Sequence, residues 1–413
     1  MATKLFSWWA KLHISCKYVV TNIFICSIYT KRQLPIITTI YFPHQFKRNY
    51  SSEQNLASFK RGTGGRSSFS GVVATVFGGN GILGRRVINQ LGKVGTQIII
   101  PYRGDNYDVG NLKLCGDLGQ ILFHPFNLKD EESLYKAMKY SNLVINLIGK
   151  ETETRNFSFE DVHVTGARNI ARIAKELGVK KLIHVSALNA CEKPKPIIIK
   201  SGSRFLASKW RGEQAVREEF PEAIIFRPSD MFGQPDRFLF YYAKTWRRQV
   251  RSLPLWKKGN ETIKQPVFVS DVAKGIVNSV FDDDAIGKTF EAVGPRRYVL
   301  GELLDWVYLV LKKGPDWGYK RTDMRFSPLF WLKVSFVERI MTVYPFISWE
   351  KVERDHVTDT LTPGLPNLED LGVKLTCIED RVAYDLKMFR DLAYYDWEVH
   401  DFTKPPPPPV ANA

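Results

Sequence analysis

The chain has 413 residues, 44% of them hydrophobic and 13% aromatic, with a formal net charge of +16. This length builds one large or two ordinary domains, and the apolar content excludes a wholly disordered chain. Seven basic residues and no acid fall within the first fifty positions, so nearly half of the positive excess sits there. What remains is a weak argument for nucleic acid. Of the five cysteines, Cys16, Cys26, Cys115, Cys191 and Cys377, none forms a Cys-x-x-Cys pair, which argues against a zinc site and a disulfide framework.

In chain order, residues 1–50 have the composition of a mitochondrial presequence: basic, acid-free, rich in Ser, Thr and bulky apolar residues. Arg48 stands where a matrix processing site after Tyr50 needs it. Within this segment, residues 18–29 (YVVTNIFICSIY) also fit a secretory signal or a membrane anchor. The run is short of the ~20 residues that span a bilayer as a helix. Residues 51–70 read as a flexible Gly/Ser/basic lead-in.

Short β-branched runs predict strands at 71–77, 97–102, 121–126, 143–148, 181–186 and 223–227. Helical spacing falls between them at 82–91, 131–138 and 161–177, the last stopped by Gly178. This alternation predicts an α/β, Rossmann-like, doubly wound parallel sheet over 71–230. From 231 to 400 the segments are longer and more aromatic, and predict a smaller C-terminal α/β lobe; 401–413 is a Pro-rich tail, an extended arm. In the lobe, Leu332, Phe336, Arg339 and Ile340 share one helical face. Core packing, a partner and a membrane surface are all open for it. Arg247, Arg248, Arg251, Lys257 and Lys258, interleaved with Trp246 and Trp256, read as a solvated basic run or a patch for acidic headgroups or a partner.

Between the first strand and the first helix lies Gly78-Gly79-Asn80-Gly81-Ile82-Leu83-Gly84. Gly78 permits a tight turn, Gly81 lets a pyrophosphate approach the backbone, and Gly84 lets helix and strand pack closely. The free amides at the helix start, with Asn80, Ile82 and Leu83, complete a dinucleotide cradle. The second strand ends at Tyr102-Arg103, where an arginine suits the 2′-phosphate of NADP and an acid suits the ribose of NAD. Arg103 favours NADP, with Asp105 close by.

Together these motifs resemble the extended and atypical short-chain dehydrogenase/reductase family over about residues 72–293. The resemblance implies an adenine contact at Asn127-Leu128, a ribose contact along Leu147-Ile148-Gly149, and further cofactor contacts from Ser186, Lys209 and Pro228. It also implies a Tyr-x-x-x-Lys pair in which the phenol exchanges a proton. Here the segment reads Phe205-Leu206-Ala207-Ser208-Lys209, so the lysine is kept and the phenol is absent. A Phe ring does no general acid–base work. Leu188 stands where the family's second hydroxyl is expected, and His163 and His184 read as structural rather than catalytic. No catalytic and no metal-binding residue is therefore assigned.

Within that family, 76–83 (VFGGNGIL), 183–190 (IHVSALNA) and 220–233 (FPEAIIFRPSDMFG) are similar to the nucleotide-binding accessory subunits of mitochondrial respiratory complex I. The resemblance implies a non-catalytic subunit with one structural NADPH, peripheral to the inner membrane on the matrix side. It implies partners among complex I subunits near the junction of matrix and membrane arms; the basic patch adds inner-membrane headgroups as a further expected contact, and without a base-stacking module no nucleic acid is expected. An active NADP(H)-dependent reductase or epimerase of the matrix is the alternative, and it needs another proton donor in place of Phe205.

Overall fold

The first apolar run forms β1 (Val73–Phe77), buried along its whole length. A run without alternation suits a strand covered on both faces, and β1 pairs in parallel with a strand on each side. The others are β2 (Gln97–Tyr102), β3 (Ile121–Pro125), β4 (Leu143–Asn146), β5 (Lys181–Val185) and β6 (Ile224–Pro228). In this computed structural model, which describes residues 60–341, 345–391 and 405–411, they build one parallel sheet in the order 3-2-1-4-5-6. A seventh strand, Thr289–Ala292, adds in parallel beyond β6. The reversal of strand order between β1 and β4 opens a crevice at their C-terminal ends, where such sheets receive ligands. The presequence, its processing site and residues 51–59 of the lead-in fall outside the described residues, as do 401–404 and 412–413 of the tail.

Helix α1 (Ile82–Lys93) buries Val87, Ile88 and Leu91 on one face of the sheet, beside α6 (Val269–Phe281) with Val272 and Ile276. The other face carries α2 (Glu131–Met138), α3 (Gly166–Glu176) and α4 (Arg204–Glu219) over a second core. The helix predicted at 161–177 begins with a π-helical turn, Glu160–Thr165, before α3 proper. Gly212 of α4 lies against the His163 carbonyl of that turn, leaving no room for a Cβ. Gly178 follows α3 at φ +69°, the left-handed stop the sequence predicts.

Beyond residue 230 the chain does two things. The seventh strand and α6 return to the sheet layer, so the predicted boundary does not coincide with the sheet's edge. Hydrophobicity alone did not mark that strand, whose Glu291 is buried and accepts the Thr362 amide at 3.1 Å. The rest gathers around a separate core of α5 (Leu239–Ala243), α7 (Leu300–Val310), α8 (Pro328–Ile340), α9 (Trp349–Asp355) and α10 (Ile378–Asp385), with short strand pairs. Two expectations change in this lobe. Arg247 and Arg248 are buried rather than solvated: the Arg247 guanidinium lies 5.0 Å from the Phe330 ring and 5.5 Å from Tyr241, within reach of cation–π attraction. And α8 is anchored by Phe330 and Val334, not by the stripe of Leu332, Phe336 and Ile340, which is exposed.

Candidate functional site

The turn after β1 is shaped by close approach. Gly78 adopts φ +78°, and a Cβ there would stand 3.0 Å from the Leu147 carbonyl. A Cβ on Gly84 would stand 2.7 Å from Gly79 Cα. Gly81 caps α1 without any side-chain hydrogen bond, so the first amides of the helix stay open toward the crevice, an arrangement suited to phosphate.

One cleft runs along the strand ends from this turn. Of the residues the sequence singles out, Gly78, Gly81, Ile82, Leu83, Gly84, Leu147, Gly149, Ser186, Lys209 and Pro228 line it. Five do not. Asn80 accepts from the Arg85 guanidinium at 2.7 Å. Asn127 accepts the Lys129 amide at 3.2 Å, and Leu128 is packed under Gly166. The Ile148 amide donates to Asn146 Oδ1 at 3.1 Å. Arg103 is exposed at the rim, its guanidinium 5.8 Å from the Phe157 ring. Lys129 and Lys150 approach the same ring at 4.9 and 5.8 Å, so three cations meet at this end of the crevice.

At the opposite end, α4 presents Phe205 and Lys209. The Lys209 ammonium donates to the Val185 carbonyl at 3.1 Å, and burial pulls its pKa down to about 8. The Phe205 ring is edge-on to His163 at 5.3 Å and to Phe159 at 6.1 Å. Burial first, and the Lys209 charge second, hold His163 neutral, with a pKa near 2. Its Nε2 accepts the Lys150 amide at 3.1 Å, so its Nδ1 carries the proton toward Ser208 Oγ at 2.8 Å, and both nitrogens are committed. His184 is likewise held near 3 by burial, its Nδ1 3.2 Å from Asn146 Nδ2. Neither histidine is poised to exchange protons near neutrality. The Ser186 hydroxyl is buried with no hydrogen-bond partner among the described residues, and Leu188 supplies none.

The sequence reading missed the remaining wall, which comes from far along the chain. Glu151 faces Arg237 at 3.3 Å and Arg354 at 3.8 Å. Burial pushes the Glu151 carboxyl up, but Lys351, Arg354 and Arg237 outweigh it and hold it near 2. Lys264 sits between Asp230 at 2.9 Å and Asp359 at 3.7 Å, which keep it protonated against burial. Apart from Lys351 and Arg354, one turn apart on α9, these charged residues are scattered along the chain, and no local pattern marks them as one site.

The model of the NAD dependent epimerase/dehydratase family matches residues 74–299. The chain is 47% identical over 352 residues to "NADH dehydrogenase (ubiquinone) 1 alpha subcomplex subunit 9, mitochondrial" of Mus musculus, covering 84% of this chain and 88% of that one. It is 36% identical to the "NADH-ubiquinone oxidoreductase 40 kDa subunit, mitochondrial" of Neurospora crassa, covering 81% and 84%. Among solved structures, triphenylmethane reductase of Citrobacter sp. shares the fold, with TM-score 0.57 at 16% identity, covering 76% of this chain and 100% of that one. The chain therefore belongs to the NAD dependent epimerase/dehydratase family and, within it, to the family of mitochondrial NADH dehydrogenase 1 alpha subcomplex subunit 9.

Proposed function

We propose that this chain is a non-catalytic accessory subunit of mitochondrial complex I, peripheral on the matrix side near the junction of the two arms. It holds one NADPH as a structural element and supports assembly and stability of that junction. The carrying observation is that Phe205 stands where the family's proton-exchanging phenol belongs, while the glycine cradle is intact. The relatives' printed names support the assignment to complex I.

The residues present fit a dinucleotide. Backbone approaches at Gly78 and Gly84 leave no space for side chains, and the amides opening α1 are uncapped. Ile82 and Leu83 would hold the pyrophosphate through their amides, Arg103 the 2′-phosphate, and Lys209 the nicotinamide ribose. Leu147, Gly149, Ser186 and Pro228 would border the adenosine and nicotinamide ends, while Asn127 and Ile148 lie outside that lining. A bound nicotinamide supplies hydride chemistry in this family, but Phe205 holds no proton to accompany it, and His163 and His184 are held neutral. Nucleotide affinity then adds to folding stability by mass action.

The test is to denature the purified protein and identify what it releases. NADPH in a one-to-one ratio is expected, and loss of both nucleotide and stability in Gly81→Trp. A protein purified empty under gentle handling, or one that runs only as free monomer on native gels of mitochondrial membranes, would end this reading.

A further inference from the structure

Helix α8 buries Phe330 and Val334, yet its other side is as apolar as its core side. Leu329, Leu332, Phe336 and Ile340 follow one another at helical spacing, and all are exposed, Leu332 at 71%. Phe326 extends the stripe at the helix start with 81% exposure, and Met341 extends it at the end. A contiguous exposed apolar patch of this kind marks an interaction surface.

The loop beside this stripe continues it. The Lys333 ammonium donates to the Trp246 and Arg248 carbonyls, at 2.5 and 3.0 Å, and Ser327 Oγ reaches Gln249 at 2.9 Å, so residues 246–249 lie against α8. At the loop tip Val250 is 92% exposed with φ +54°. A β-branched residue in the left-handed region is strained, and here the strain presents an isopropyl group to the outside. Trp246 is exposed beside it.

Charge selects the partner. Arg251 follows Val250 and Arg339 stands on the far edge of the stripe, both exposed; Arg325, before Phe326, is exposed as well but is ion-paired to Asp323 at 2.7 Å. The one acid of α8, Glu338, accepts the Trp349 amide at 3.5 Å on the side away from the stripe. An apolar face bordered by arginines and an exposed Trp suits the boundary of an anionic bilayer, with rings and aliphatic chains among the acyl groups and guanidiniums on phosphates. No helix among the described residues is long and apolar enough to cross a membrane, so such an association lies in the plane of the interface. We infer that α8 and the loop tip at Val250 form a docking surface for anionic phospholipid membranes. This is independent of the nucleotide and of Phe205.

The experiment is co-sedimentation of the purified full chain with vesicles of phosphatidylcholine containing roughly 30 mol % phosphatidylglycerol, against phosphatidylcholine alone. Binding is expected to the anionic vesicles, to weaken with salt, and to fall at least about tenfold in Leu332→Glu/Phe336→Glu. Those side chains are exposed, so the variant is expected to keep its melting temperature and its nucleotide content. Val250→Asp alone is expected to give a smaller loss in the same direction. Parent protein that ignores anionic vesicles at low salt, or a double variant that sediments as well as the parent, overturns the proposal. So does a double variant that loses its place in the assembled complex when the parent shows no vesicle binding, since the surface then belongs to a protein partner.

Discussion

The Arg354 guanidinium lies over the Phe205 ring, 4.5 Å from its centroid, joining α9 of the C-terminal lobe to α4. The same guanidinium faces Glu151, two residues past Gly149 of the cleft wall. The cleft is thus lined on this side by an ion-paired mesh from both lobes. Restoring the phenol is therefore expected not to restore chemistry. In Phe205→Tyr, Leu188 still offers no second hydroxyl, and Glu151, Arg237, Lys351 and Arg354 still occupy the wall. NADPH consumption with a panel of ketone and nucleotide-sugar substrates should equal that of the parent. Turnover within the ordinary enzyme range, about 1–10³ s⁻¹, would mean that the missing phenol was the sole lesion.

Arg354→Ala removes the ring contact and one of the partners that hold the Glu151 carboxyl down. Arg237 and Lys351 still compensate the acid, so the expected loss is about 2 kcal/mol rather than that of a fully orphaned buried charge. Chemical denaturation reads it directly. A variant as stable as the parent would show that the mesh does not hold the lobes together.

The crevice glycines make a sharper case. A Cβ on Gly84 meets Gly79 Cα at 2.7 Å, whereas one on Gly110 meets nothing within 4 Å. Gly84→Ala forces α1 away from the turn and is expected to cost about 3 kcal/mol and most of the bound nucleotide. Gly110→Ala should change neither. Equal behaviour of the two in a melting and nucleotide-release assay would refute the close-packing role.

The contrast between these regions explains what the sequence reveals and what it hides. Strands β1, β2 and β4 are continuous apolar runs because both of their faces are covered, and the glycine spacing follows from backbone approach. Both signals are local. The seventh strand holds the buried Glu291, so its hydrophobicity does not announce it. Arg247 and Arg248 look like solvated surface because the rings that bury them, Phe330 and Trp317 among others, come from later segments. Lys264, Arg354 and Asp359 reach the cleft only through tertiary packing. The α8 stripe was legible as an amphipathic pattern, but periodicity cannot say which side is covered.

On the proposed reading, Arg103 would carry the choice between the two dinucleotides. It is exposed and shares the Phe157 ring with Lys129 and Lys150. Arg103→Asp is expected to weaken NADPH by at least about tenfold and to favour NADH, with the melting temperature of the empty protein unchanged. Calorimetric titration of nucleotide-free protein measures both ligands. An equal effect on the two would remove Arg103 from 2′-phosphate recognition.

Acid sensitivity follows from three buried imidazoles. Burial holds His163, His184 and His356 at about 2, 3 and 3, against an ordinary value of 6.5. Below pH 6.5 the unfolded chain takes up three protons that the folded chain refuses, so stability present at neutral pH is lost as pH falls. Asp236 acts in the opposite sense: burial raises it to about 7, so the folded chain keeps a proton there that the unfolded chain releases until near its ordinary value of 3.8. The net of two protons predicts a loss of about 3 kcal/mol per pH unit once pH is well below 6.5. Denaturation curves at pH 7.5, 6.5 and 5.5 should show the decline steepening downward. His184→Phe removes one of the three protons and should flatten the slope by roughly 1.4 kcal/mol per pH unit. A variant with the parent's slope would show that His184 is already charged in the folded protein.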